Sequence, residues 1–184
     1  SQNEQDSRHY AKASKTIMIE PSDSQECLSF TKLAYELSEK YDTPVIIRLT
    51  TRISHSRSLV ETGERSDPGL REYVKDTQKY VMMPAMAKKK HVIVEDRIRA
   101  LTAWGDEDAI GIGINRVEYN DKKIGVIASG IAYQYAKEAL GNKASYLKLG
   151  CIYPLPEKII KDFASKCDNV YVIEELDPYI EEHC

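Results

Sequence analysis

Between residues 123 and 175 short apolar runs alternate with helical patterns, and this alternation restricts the fold more than any other feature of the chain. "KIGVIAS" (123–129), "ASYLKLG" (144–150) and "NVYVIEE" (169–175) each have the length and the aliphatic content of a strand. Between the first two, residues 131–140 place Ala132, Tyr135, Ala136 and Ala139 on one helical face. Between the last two, a helix starting near Pro156 turns Ile159, Ile160 and Phe163 inward. A β-α-β-α-β order with such short connections requires a parallel sheet with right-handed crossovers. The chain is therefore predicted to be α/β, built from parallel βαβ units.

A first unit precedes this one. "KTIMIE" (15–20) is a strand candidate, and "EPSDSQE" announces a helix: Ser22 is followed three residues on by Gln25, and Asp23 by Glu26, which offers two overlapping capping boxes. The helix, running to about Tyr41, lines up Cys27, Phe30, Ala34 and Leu37 as one apolar stripe. Residues 44–50, "PVIIRLT", form a strand apolar enough to be central in a sheet. Residues 51–84 lack sustained periodicity, contain a turn at Asp67-Pro68-Gly69 and are longer than structureless connections usually are, which points to a binding loop. From 85 to about 104 the pattern is helical, with Met86, Val92 or Ile93, Ile98 and Leu101 along it and Lys88 to Lys90 solvated. "GDEDA" and "GIGIN" read as the end of that helix and a linker.

Composition narrows the function. With 42% hydrophobic and 30% charged residues over 184 positions, bulk disorder is excluded. A net charge of −3 argues against nucleic-acid and membrane-surface partners. The first 100 residues carry 17 basic and 15 acidic side chains and the rest 9 and 14, an asymmetry suited to subunit contact. No apolar run approaches the roughly 18 residues of a membrane span, so a soluble chain is expected. Cys27, Cys151, Cys167 and Cys184 show no CxxC spacing, and the first three sit beside apolar residues. They read as buried free thiols in a reducing, cytoplasmic setting, and the scattered His and Cys residues suggest no metal site.

"TTRISHSRS" (50–58) leaves the C-terminal end of a predicted parallel strand, where open α/β sheets place their ligands. Arg52 and Arg57 can clamp a carboxylate or phosphate, His55 can donate a hydrogen bond or move a proton, and Thr51, Ser54 and Ser56 can orient both. A polar surface loop is the competing reading, and no nucleophile elbow supports a Ser-His-Asp triad. "IASGIAYQ" (127–134) leads a strand into a helix N-terminus, either a tight turn or an anion site. Glu174 and Glu175 close the last strand as an acid/base pair, a partner contact or solvated charge. The opening "SQNEQDSRH" has no signal-peptide pattern and the polar density of a functional loop.

Taken together, "SQNEQDSRHYAK", "EPSDSQE", "TPVIIRLTTRISHSRSLVE", "KYVMMPA" and the acidic "VIEELDPYIEE" resemble the alpha subunits of the indolepyruvate ferredoxin oxidoreductases, in the thiamine-diphosphate-dependent 2-oxoacid ferredoxin oxidoreductase group. The resemblance implies an internal piece of such a subunit: residues 1–110 as the back part of a partial pyrimidine-binding domain with its long loop and helix, and 111–184 as a transketolase C-terminal-like three-layer domain. It implies oxidative decarboxylation of indolepyruvate and other aryl pyruvates to aryl-acetyl-CoA, with ferredoxin as acceptor. Thiamine diphosphate, Mg²⁺ and [4Fe-4S] clusters would belong to the intact enzyme, none being bound by this stretch alone, which is expected to be inactive in isolation. The implied partners are a beta subunit, ferredoxin, coenzyme A and the aryl pyruvate. No catalytic residue is expected here. Instead Asn3, Glu4, Asp6, Arg8, Arg52, His55 and Arg57 are expected along one side of the cofactor and substrate crevice, Arg52 holding an anionic group with His55 and Asn3 orienting it. The second unit is expected to pack between subunits. The alternatives are a non-catalytic interaction subunit of a split oxidoreductase and a flavodoxin-like nucleotide module built on the Ser129-Gly130 turn.

Overall fold

The computed structural model describes residues 5–65, 67, 69–70 and 72–184. Along the chain come α1 (Arg8–Ser14), β1 (Met18–Ile19), α2 (Ser24–Tyr41), β2 (Ile46–Ile47), α3 (Thr51–His55), α4 (Thr77–Tyr80), α5 (Pro84–Asp106), α6 (Asp108–Gly111), β3 (Arg116–Glu118), β4 (Ile124–Ser129), α7 (Gly130–Leu140), β5 (Ser145–Leu149), β6 (Cys151–Tyr153), α8 (Glu157–Ser165) and β7 (Asn169–Ile173). The architecture is α/β, as predicted.

The four-stranded sheet has the order β3-β5-β4-β7, with β4 parallel to both β5 and β7 and β3 antiparallel at one edge. Strand alternation explains its two covered faces. Ile127 and Leu147 point to the side where Ile159, Ile160 and Phe163 of α8 pack, while Val126, Ala128 and Tyr146 point to Tyr133 and Ala136 of α7. Each of these large apolar side chains contributes about 1.5–3 kcal/mol by leaving water. The inward face of α7 carries Tyr133 rather than the expected Tyr135, which is exposed, as is Ala139. The reason is polar: the Tyr133 hydroxyl donates to Glu118 on β3 while its ring meets Tyr146 edge-on.

A second sheet has the order β2-β1-β6, β1 being parallel to β2 and antiparallel to β6. The expected central strand at 44–50 is thus an edge strand of only two paired residues among those described. Its apolar side chains Val45 and Ile47 instead pack with Phe30 and Leu37 of α2. Asp23 caps α2 by accepting from Glu26 N–H (2.8 Å), and the Glu26 carboxylate reaches back to Ser22 N–H (2.7 Å), so one capping exchange forms, shifted by a residue. Glu26, not Cys27, occupies the buried stripe with Phe30, Ala34 and Leu37, and Cys27 is half-buried. All four cysteines are free, with Cys151 buried, Cys167 half-buried and Cys184 exposed.

Strands β3 and β6 have no counterpart in the sequence reading. Strand β6 follows Gly150, where an added Cβ would stand 2.4 Å from the Ile114 carbonyl oxygen, so only glycine admits this approach. Buried Asn115 secures it: Oδ1 accepts from the Gly150 and Cys151 N–H groups (2.9 and 3.0 Å), and Nδ2 donates to the Gly105 carbonyl (2.8 Å). The chain thereby leaves β5 in one sheet and enters β6 in the other within two residues.

The 51–84 segment is less irregular than predicted, since it holds α3 and α4, and the rest of its described residues are largely exposed. Its expected turn retains a Gly69 N–H to Asp67 Oδ1 bond (3.0 Å), while Pro68 lies outside the described residues. In α5, Val92 and Ile93 are exposed, and burial is confined to Leu101 and Trp104 to Asp106 at its end. No helix among the described residues is long and apolar enough to cross a membrane.

Candidate functional site

The C-terminal ends of β1, β2 and β4 converge, and charged side chains meet there. Glu20 follows β1, Arg48 follows β2, and Ser129 closes β4 ahead of α7. Backbone bonds fix the first two: Glu20 N–H donates to the Gly150 carbonyl (2.7 Å) and Arg48 N–H to that of Ile19 (2.9 Å). The Arg48 guanidinium pairs with Glu20 Oε1, both side chains being buried. Burial pushes the Glu20 carboxyl up, outweighing Arg48, Ser129 and Arg8, which favour its charged form. The carboxylate packs on Gly130, where an added Cβ would lie 2.6 Å from Oε1 and where φ is +49°. The head of α7, read from sequence as a tight turn or an anion site, therefore faces the protein's own carboxylate.

Helix α3 leaves this convergence directly. It lies beside α7 and has only Ile53 buried, so Arg52, His55 and the following Arg57 are exposed and have no hydrogen bond among the described residues. Arg52 and His55, three residues apart, share a face of α3 whose guanidinium and imidazole can receive a carboxylate or phosphate.

Asp6 and Arg8 are turned inward. Arg8 Nε donates to both Asp6 carboxylate oxygens (2.9 and 3.0 Å), Nη1 to Glu174 Oε2 (2.5 Å), and Nη2 to the Glu175 and Asp177 carbonyls (2.8 Å each). Its guanidinium also lies 5.2 Å from the centre of the buried Tyr179 ring. Arg8 begins α1 rather than lying in a loop, and Glu174 is an internal ligand of Arg8 rather than a solvated charge. Asn3 and Glu4 lie outside the described residues. Asp6 and Arg8 share no hydrogen bond with Arg52, His55 or Arg57.

Sequence reasoning missed a third buried group. Lys148, fully buried on β5, donates to Glu26 Oε2 (2.6 Å), and Arg116 donates to Glu26 Oε1 (2.9 Å). Burial pushes the Lys148 ammonium down, against the pull of Glu26. A lone charge inside an apolar run, as in "IMIEP", "VIIRLT" and "YLKLG", was the available signal for Glu20, Arg48 and Lys148.

Ligand-type atoms of Asp6, His9 and Asp177 lie near one another, but Asp6 is engaged by Arg8, and His9 Nε2 with Asp177 (2.9 Å). Among the described residues no set of oxygen donors suits a Mg²⁺-bound diphosphate, and no group of cysteines suits an iron-sulfur cluster. The exposed α3 face fits a simple anion, not the whole of such a cofactor.

No family model matches the chain. Among solved structures, the 2-oxoglutarate:ferredoxin oxidoreductase from Magnetococcus marinus matches it with a TM-score of 0.58, over 91% of this chain and 36% of that one, at 16% identity. The fold is thus one found in the 2-oxoacid:ferredoxin oxidoreductases. Among curated proteins, the indolepyruvate oxidoreductase subunit IorA of Methanothermobacter thermautotrophicus is 43% identical over 98% of this chain, and that of Thermococcus kodakarensis 38% identical over 99%. This chain is a homologue of those IorA subunits, and it spans about 30% of their length.

Proposed function

We propose that this chain is a segment of a 2-oxoacid:ferredoxin oxidoreductase acting on indolepyruvate and related aryl pyruvates, and that its α3 face helps to hold the substrate. The names of the IorA relatives support the substrate class. The observation that carries the residue assignment is that Arg52 and His55 are exposed on α3, which starts just after a strand's C-terminal end and is backed by buried Ile53, with exposed Arg57 following two residues beyond the helix. Arg52 receives the substrate carboxylate through two parallel N–H donors, and His55 donates toward the neighbouring keto oxygen. Arg57 adds positive charge that favours the approach of a coenzyme A phosphate or a second substrate anion. Asp6 and Arg8 serve the crevice only indirectly, through the buried cluster with Glu174 that holds the start of α1 in place. Thiamine diphosphate supplies the carbanion-stabilising chemistry in such enzymes. That cofactor, its Mg²⁺ and the [4Fe-4S] clusters are held by other parts of the enzyme.

In this reading residues 1–110 belong to the pyrimidine-binding domain and 111–184 to the transketolase C-terminal-like domain, which packs against a beta subunit in a cytoplasmic complex. The test is purification of the native complex carrying this chain, followed by assay of coenzyme A-dependent ferredoxin reduction with indolepyruvate, phenylpyruvate, 2-oxoisovalerate and 2-oxoglutarate. Preference for the aryl substrates is expected; preference for 2-oxoglutarate would overturn the substrate assignment, and no reduction with any of them the activity itself.

A further inference from the structure

We infer that Glu20 is a positioning residue that sets the orientation of α3, and with it the direction in which Arg52 presents its guanidinium. The inference rests on the substrate-binding reading of Arg52 for its kinetic consequence, but not for its structural one.

Helix α3 has five residues, too few to be stable by its own hydrogen bonds. Its N-cap residue, Thr50, makes no side-chain capping bond, and Thr50 Oγ1 is buried without a hydrogen-bond partner among the described residues. Only Ile53 anchors it to the core. Its orientation must come from what fixes its entry and its flank. The entry is Arg48, two residues before Thr50, whose side chain is held by Glu20 Oε1. The flank is α7, whose first residue, Gly130, lies against the same carboxylate. Glu20 therefore touches both supports of α3 at once. Ser129, which closes β4 at the head of α7, also favours the charged form of this carboxylate and so ties it further to that flank.

The experiment uses the intact enzyme with Glu20→Gln, which keeps the shape and removes the charge, and Arg48→Lys, which keeps the charge and removes the planar fork. Hydrogen exchange is read on the amides of residues 49–58 and, as a control, on β4 and β5. Exchange should quicken in 49–58 and stay unchanged in the control strands for both variants. In steady-state assays the KM for the 2-oxoacid should rise by about tenfold, with kcat changed much less. The Glu20→Gln/Arg52→Ala double variant should be no worse in KM than Arg52→Ala alone, because Glu20 acts through Arg52. Wild-type exchange at 49–58 in both variants would overturn the inference. If Glu20→Gln does not fold, Arg48→Lys carries the same readouts. Faster exchange with an unchanged KM in Arg52→Ala would retain the positioning role and reject the substrate reading, so the two failures are separable.

Discussion

Arg8 and Glu174 are 166 residues apart in sequence, yet Nη1 of one meets Oε2 of the other at 2.5 Å in a buried setting. The contact ties the first helix to the segment that follows β7, and the Glu174 oxygens then accept from the Ile180 N–H (2.9 Å from Oε2) and the Glu181 N–H (3.2 Å from Oε1). Removing Arg8 leaves Asp6 and Glu174 as buried carboxylates without their cation. Arg8→Ala should therefore cost about 3–5 kcal/mol of stability, read as a shift in denaturant midpoint. Arg8→Lys should recover only part of it, since an ammonium cannot serve Asp6, Glu174 and two carbonyls together.

The same cluster sets an acid limit. Burial alone would raise the Asp6 carboxyl, but the hydrogen bonds and charge of Arg8 outweigh it and hold the group below its ordinary 3.8. A folded-state value beneath the unfolded one means the stabilisation is complete above 3.8 and is lost as pH falls through the lower value. Midpoints measured from neutral pH down to about 3 should fall steeply at the acid end, and Asp6→Asn should flatten that fall while lowering stability at neutral pH. A parallel profile in the variant would count against the assignment.

Gly150 offers a steric test. A Cβ added there would stand 2.4 Å from the Ile114 carbonyl oxygen, and Asn115 keeps the two segments from moving apart by bonding the Gly150 and Cys151 amides. Gly150→Ala should cost about 3 kcal/mol or more. Gly111→Ala, with open space around it and no left-handed backbone, should change stability by no more than about 0.5 kcal/mol.

Thiol accessibility gives a further check. Burial pushes the Cys151 thiol up to about 12, so it stays protonated and shielded in the fold. Alkylation of the native protein followed by mass spectrometry should label exposed Cys184 and leave Cys151 unmodified until denaturant is added. Labelling of Cys151 at the rate of Cys184 in the native state would contradict the packing at the β5–β6 junction.

How far the sequence discloses this arrangement depends on what stabilises each part. Strands β4 and β5 are covered on both faces, so they appear as continuous apolar runs, and α8 shows its inward face through Ile159, Ile160 and Phe163. Strands β3 and β6 are three residues each and persist through pairing and through Asn115 rather than through a hydrophobic pattern. Tyr133 faces inward because of a hydroxyl partner on β3, a strand the pattern does not reveal. Charged side chains are visible in sequence, but not their partners: Arg48 pairs 28 residues away and Lys148 pairs 122 residues away. The 50–58 stretch stands out in sequence as a cluster of Arg, His and Ser, and Glu20 as a lone charge after an apolar run, whereas the placement of the Glu20 carboxylate beside Arg48 and Gly130 is disclosed only by the fold.

The central claim, that the α3 face holds the substrate carboxylate, is tested most directly by steady-state 2-oxoacid-dependent ferredoxin reduction in the intact enzyme carrying Arg52→Ala. Loss of a bidentate charged contact should raise the KM for indolepyruvate by about ten- to a hundredfold, or about 1.4–2.8 kcal/mol, with partial recovery in Arg52→Lys. A KM and kcat both equal to those of the unsubstituted enzyme would contradict it.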